Sequence, residues 1–174
     1  MCGGFMAFKK KTELINVSGS ISEVGPNTFT ELEVSLDLDP LSREIFVVTD
    51  AYLDPFTPNT VPGLRTSTKL SVTNTSRTGV QTIADSQCIS NVTDTIFGGA
   101  AEFNFARTAM PVSQISVGTS MDYLSIISTP NFFVQVQGEN NLGGSGGSFR
   151  LTGYRAVADA DTYSALVASE VLSV

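Results

Sequence analysis

The sequence predicts an all-β fold: an antiparallel two-sheet β-sandwich of jelly-roll type, with one C-terminal helix. Three observations predict it. Apolar and polar residues alternate with period two in eight or nine short segments, the pattern of strands with one buried face. Long turns rich in Gly, Pro and Asn separate those segments. Charged residues make up only 16% of the 174 residues against 41% hydrophobic. The polarity comes instead from Ser, Thr, Asn and Gln, which suit strands and turns better than exposed helices. An immunoglobulin-like sandwich is the second arrangement these features allow.

The elements follow in order. Residues 1–11, MCGGFMAFKKK, combine glycines, scattered apolar residues and Lys9, Lys10 and Lys11. They read as a flexible N-terminal arm that orders against a neighbour. Residues 12–174 read as a single domain. Ile15, Val17, Gly19 and Ile21 alternate with Asn16, Ser18 and Ser20, and Gly25-Pro26-Asn27 ends that strand. Between Phe29 and Asp39, Leu32, Val34, Leu36 and Leu38 share one face, opposite Glu31, Glu33, Asp37 and Asp39. These two strands read as a hairpin. Ile45-Phe46-Val47-Val48 is a continuous apolar run, typical of a strand covered on both faces. Three prolines between Asp54 and Gly63 mark a long irregular connection. Thr66 to Thr75 is a Thr-rich strand with Leu70 and Val72 inward.

From Thr82 to Phe97 the spacing of Ile83, Cys88, Ile89, Val92, Ile96 and Phe97 suggests a short helix, capped by Asp85 or Ser86, although the β-branched content opposes it. Ala101–Arg107 and Val112–Gly118 read as strands. A short apolar run, Tyr123 to Ile127, is closed by Pro130, which cannot donate to a ladder. Phe132, Val134 and Val136 then alternate with Phe133, Gln135 and Gln137. Gly138 to Gly147 holds five glycines and reads as a mobile loop. Alternation resumes from Ser148 to Arg155. Finally, Asp159 or Asp161 caps a helix with Tyr163, Leu166, Val167 and Val171 along one stripe.

A chain of this length suits one domain that buries roughly 70% of its unfolded surface without staples. The net charge of −7 argues against a nucleic-acid-binding surface, which needs clustered Lys and Arg. At most Lys9, Lys10 and Lys11 could touch phosphate. No apolar run approaches the roughly 18 residues of a membrane span, and the N-terminal residues do not read as a signal peptide. With no histidine, the usual general base, the Ser-His triads and the commonest metal ligand are missing. Cys2 and Cys88 form no disulfide framework and read as two free thiols.

Each candidate site has a plainer explanation. Asp37 and Asp39, with Glu31 or Glu33, offer oxygens for Ca²⁺, yet a solvated acidic strand face explains them. Asp159 and Asp161 suit helix capping. Gly143 to Gly147 has the composition of a phosphate loop, but no Lys follows and a strand comes next. Asn16, Asn74 and Asn91 begin glycosylation patterns that chance accounts for in a chain this rich in Asn, Ser and Thr. Phe132, Phe133, Phe149, Tyr154 and Tyr163 could form a sugar-stacking platform, although alternating aromatic residues are more often core. No catalytic, cofactor-binding or metal-binding residue is assigned on these grounds.

Tyr123-Leu-Ser-Ile-Ile, Phe132-Phe-Val-Gln-Val-Gln-Gly and Gly153-Tyr-Arg-Ala-Val-Ala-Asp, ahead of the closing helix, resemble the small coat proteins of tailless marine viruses. The resemblance covers about the last third of the chain. It implies a single-jelly-roll capsid subunit that assembles with copies of itself and carries no catalytic residues, located in a virion. The weak surface charge, which tolerates burial against neighbours, leans the same way. The alternative from another class is a carbohydrate-binding β-sandwich, marked by an exposed aromatic row near calcium. A metal-independent hydrolase comes third.

Overall fold

The computed structural model describes residues 8–100, 105–109, 113–116 and 122–172, with the backbone alone for 105–109 and 113–116. The strands are β1 (Phe8–Lys10), β2 (Ile15–Ser22), β3 (Thr30–Ser35), β4 (Glu44–Pro55), β5 (Arg65–Thr73), β6 (Cys88–Gly98), β7 (Phe105–Ala109), β8 (Ser113–Ser116), β9 (Ser125–Ile127), β10 (Asn131–Glu139) and β11 (Gly146–Ala158). The helix α1 spans Ala160–Leu172.

All pairings are antiparallel and fall into two sheets. In the first, β11 lies beside β4; β2 and β1 share the outer edge of β11, while β8 and β9 share the far edge of β4. In the second, the order is β3-β10-β5-β6-β7. The chain changes sheet from β2 to β3, β3 to β4, β4 to β5, β7 to β8, β9 to β10 and β10 to β11. That alternation is the double Greek key of a jelly roll. It corrects the hairpin expected of the first two long strands: β2 pairs with β11 and β3 with β10, so each belongs to a different sheet. Period-two alternation reports which face a residue takes, not which strand lies alongside.

The main core fills the space between the sheets. Ile21, Phe46, Val48, Leu53, Phe149 and Leu151 from the first sheet meet Leu70, Val72, Val92, Phe132, Val134 and Val136 from the second. Phe132 and Phe149 pack edge to face, ring centroids 6.0 Å apart. A smaller core lies on the outer face of the first sheet, where Ile45, Val47, Ala156 and Ala158 are covered by Phe8, Ile126, Tyr154, Tyr163 and Leu166. The continuous run at Ile45–Val48 is therefore buried on both faces, as its pattern requires. Beyond it the register with β11 slips, Thr152 facing Asp50 and Gly153 facing Val48, so Thr49 is an extra residue. This bulge reverses the parity of β4, turning Ala51 and Leu53 inward and Tyr52 and Asp54 outward.

Two expectations need correction, and the expected N-terminal arm is described only in part. Thr82 to Phe97 forms no helix: a turn leads into β6, and Asp85 accepts from the Gln87 N–H at 2.8 Å instead of capping. The second long strand ends at Ser35, not Asp39, and Asp37 has a φ of 50°. The arm expected through Lys11 is docked over Phe8–Lys10, which pairs with Ala156–Ala158; residues 1–7 lie outside the described residues.

The helix forms where its cap predicts. Asp159 accepts from the Thr162 N–H at 2.8 Å and the Thr162 hydroxyl at 2.9 Å, which holds its carboxyl below the usual range. Its far end is held by Glu170 rather than by Val171, which is 59% exposed. Glu170, 2% exposed, accepts from the backbone N–H of Ser128 at 2.8 Å and of Thr129 at 3.0 Å. Replacing Glu170 by alanine orphans two donors and is expected to cost about 1–3 kcal/mol. Hydrogen exchange should show the helix amides losing protection before those of β10. Unchanged helix protection would remove Glu170 as the anchor.

Candidate functional site

The loops at one end of the sandwich are bound into a single unit by side chains remote in sequence. Glu23, 8% exposed, follows β2 and accepts from the N–H groups of Gly138 and Ser145, both at 2.6 Å, and of Asn27 at 3.3 Å. Asn27 and Asn141 exchange two bonds: the Asn27 amide donates to the Asn141 carbonyl at 2.9 Å, and the Asn141 N–H donates to Asn27 Oδ1 at 2.8 Å. Asn141 Oδ1 accepts from the Asn59 N–H at 2.9 Å, and its Nδ2 donates to the Ser67 carbonyl at 2.8 Å. Asn59 Oδ1 in turn accepts from the N–H groups of Leu142 and Gly143 at 3.0 and 3.2 Å. One carboxylate and three amides thus tie the β2–β3, β4–β5 and β10–β11 connections together. The glycine-rich loop expected to be mobile is fixed by Asn141 and Ser145, both buried.

Five large apolar side chains stand exposed at this end: Val24, Phe56, Leu64, Phe97 and Leu142. Val24 and Leu142 are 87% and 76% exposed. Arg65 lies over the Phe97 ring, 5.5 Å from its centroid, and the Lys69–Glu139 ion pair stands close by at 2.8 Å. At the opposite end Leu41 and Ile83 are also exposed, but on separate turns.

That opposite end carries the charge. Glu44, 2% exposed, pairs with Lys11, accepts from the Asp39 N–H at 3.0 Å and lies 3.9 Å from Arg155. The Lys11 ammonium is the main cause holding the Glu44 carboxyl below the usual range. Lys10 lies over the Tyr154 ring at 5.2 Å and meets Glu13 at 3.2 Å. Of the three lysines, Lys9 alone makes no such contact among the described residues.

The remaining candidates are dispersed. Asp37 accepts from the Ser35 hydroxyl at 2.7 Å, and Asp39 from the Leu41 N–H and the Ser42 hydroxyl, so both serve turns. Glu33 accepts from Asn131; Glu31 accepts from Gln135 Nε2 and the Arg77 N–H, at 2.9 and 2.8 Å. No group of three His, Cys, Asp or Glu side chains suited to a metal ion occurs among the described residues. Asp161 is exposed in the first turn of α1. The five aromatic residues do not share a surface. Phe132 and Phe149 are core, Tyr154 of β11 and Tyr163 of α1 pack against the smaller core, and Phe133 faces outward on the other sheet. The Cys88 thiol is pushed up to about 11, chiefly by burial, which leaves it protonated and unreactive at neutral pH. Cys2 lies outside the described residues.

The strand order defines the class: a jelly-roll sandwich, an architecture shared by viral coat and lectin domains. No family model and no curated protein matches the chain. Among solved structures it aligns with the cocksfoot mottle virus structure at 10% identity, covering 88% of this chain and 99% of that one, with a TM-score of 0.39. It aligns with the Desmodium yellow mottle tymovirus structure at 11% identity, covering 84% and 87%, with a TM-score of 0.32. At such scores the fold assignment rests on this chain's own strand order.

Proposed function

We propose that the chain is a virion coat subunit that assembles with copies of itself into a shell and catalyses no reaction. The observation that carries this reading is the apolar end of the sandwich. Val24, Phe56, Leu64 and Leu142 are presented to solvent on connections that Glu23 and Asn141, both buried, hold in place together with Asn27 and Asn59, and Phe97 stands exposed at the end of β6. An isolated molecule gains nothing from such exposure; a neighbour that covers these side chains gains about 25 cal/mol for each Å² of apolar surface removed from water. Closed assemblies repeat the same contact about a symmetry axis, and a rigid end of a sandwich suits that use. Of the three lysines that could touch nucleic acid, Lys10 and Lys11 are engaged within the subunit, which leaves Lys9.

Light scattering and electron microscopy of the purified protein test this. The wild type is expected to form large, uniform particles. Replacing Val24, Leu64 and Leu142 together by serine should leave single subunits with an unchanged melting temperature, since exposed loop substitutions usually cost less than about 0.5 kcal/mol each. A wild-type protein that stays monomeric at high concentration would refute the proposal.

A further inference from the structure

The outer face of the first sheet is divided. One half is apolar and lies under α1; the other is polar and is not covered by any described residue. On the bare half the registers of β2, β11 and β4 set side chains in rows. Ser20, Ser148 and Asp54 form one row; Ser18, Arg150 and Tyr52 form the next. Between them lies an open hollow of about 530 Å³, lined also by Gly19 and Phe149.

None of the six polar side chains has a hydrogen-bond or ion-pair partner among the described residues, although Arg150 and Asp54 are only one row apart. This is unusual for this chain. Most of its other charged groups near a partner are paired, as Arg77 is with Asp85 and Lys69 with Glu139. The chain carries a net charge of −7, so a free guanidinium amid hydroxyls is a local exception to its field.

We infer that this hollow binds an acidic sugar, a pyranose bearing a carboxylate. A guanidinium recognises a carboxylate through two parallel N–H bonds. Ser18, Ser20 and Ser148 both donate and accept, which matches ring hydroxyls. Asp54 only accepts, so it requires a ligand that offers hydroxyl donors at the end remote from its carboxylate. A small inorganic anion such as phosphate carries its charge on the same centre as any hydroxyl it holds, so it would be repelled by Asp54. The Tyr52 side chain walls the hollow, and its ring face suits the apolar C–H face of a pyranose. The hydroxyl-rich floor selects a polyhydroxylated ligand over a small zwitterion, which would use Arg150 and Asp54 but leave the serines idle. The inference holds for a single subunit and does not depend on assembly.

Titration of the isotope-labelled protein, read by amide chemical shifts, tests it with four probes: glucuronate, glucose, inorganic phosphate and L-alanine. Glucuronate is expected to give saturable shifts confined to β2, β11 and the second half of β4. Glucose should bind about tenfold more weakly or worse, because it lacks the charge-assisted bonds. Arg150→Gln should weaken glucuronate about tenfold without changing the melting temperature, and Asp54→Asn should weaken glucuronate while strengthening phosphate. A β-linked glucuronide disaccharide binding more tightly than free glucuronate would identify the end of a glycan as the source; equal binding would identify the free sugar. The inference is overturned if glucuronate gives no saturable shifts, if phosphate or L-alanine equals it, or if Arg150→Gln leaves its affinity unchanged.

Discussion

Gly153→Val is expected to lower stability by about 3 kcal/mol or more, and the melting temperature by roughly 6–12 °C. Gly153 occupies the inward face of β11 where the Thr49 bulge brings β4 close. A Cβ there would overlap the Val47 carbonyl oxygen and stand 2.7 and 2.9 Å from Cε1 and Cζ of Phe46. Neither neighbour can yield cheaply. The carbonyl belongs to the central ladder, and Phe46 is 1% exposed within the main core. Gly143→Val is the matching control, since a Cβ at Gly143 meets nothing within 4 Å. Thermal unfolding followed by circular dichroism should separate the two variants widely. If both melt alongside the wild type, the close approach at Gly153 does not exist in solution.

Phe132→Ala is expected to be equally damaging, by about 3–5 kcal/mol, from lost transfer energy and the cavity left behind. Phe132 is fully buried, pairs across with Val34 and loses its edge-to-face contact with Phe149. The adjacent Phe133 points to the other face and is half-buried, so Phe133→Ala should cost only about 1–2 kcal/mol. Denaturant titration of both variants measures the difference. Equal losses would mean that the two faces of β10 are not inner and outer as described.

The faces of β2, β5, β10 and β11 were legible because each strand repeats one apolar parity over several residues. Leu70 and Val72 point inward, and so do Phe132, Val134 and Val136, as their alternation requires. β6 misled for a physical reason. Its inward positions run Val92, Asp94, Ile96, and the buried aspartate between two apolar residues leaves a spacing of four that imitates a helix. On α1 the stripe begun by Tyr163 and Leu166 continues one heptad on at Glu170, where a carboxylate replaced the apolar residue that periodicity seeks. The seven-residue step from Tyr163 was the available signal. Neither the apolar end nor the polar hollow could be read, because Ser18, Tyr52 and Arg150, like Asn27, Asn59 and Asn141, meet only through strand register and loop crossing. Local pattern carries no information about either.

The amide and carboxylate ties among the three end connections have a thermodynamic corollary. Association normally forfeits about 0.5–1.5 kcal/mol of entropy for each adaptable side chain it immobilises, and more for the backbone beneath it. Here the backbone share of that loss has already occurred during folding of the lone polypeptide, since Glu23, Asn59 and Asn141 fix the main chain before any encounter. Docking onto these tips should therefore resemble the meeting of two preformed bodies, with a sharp concentration threshold and little accompanying change in secondary structure.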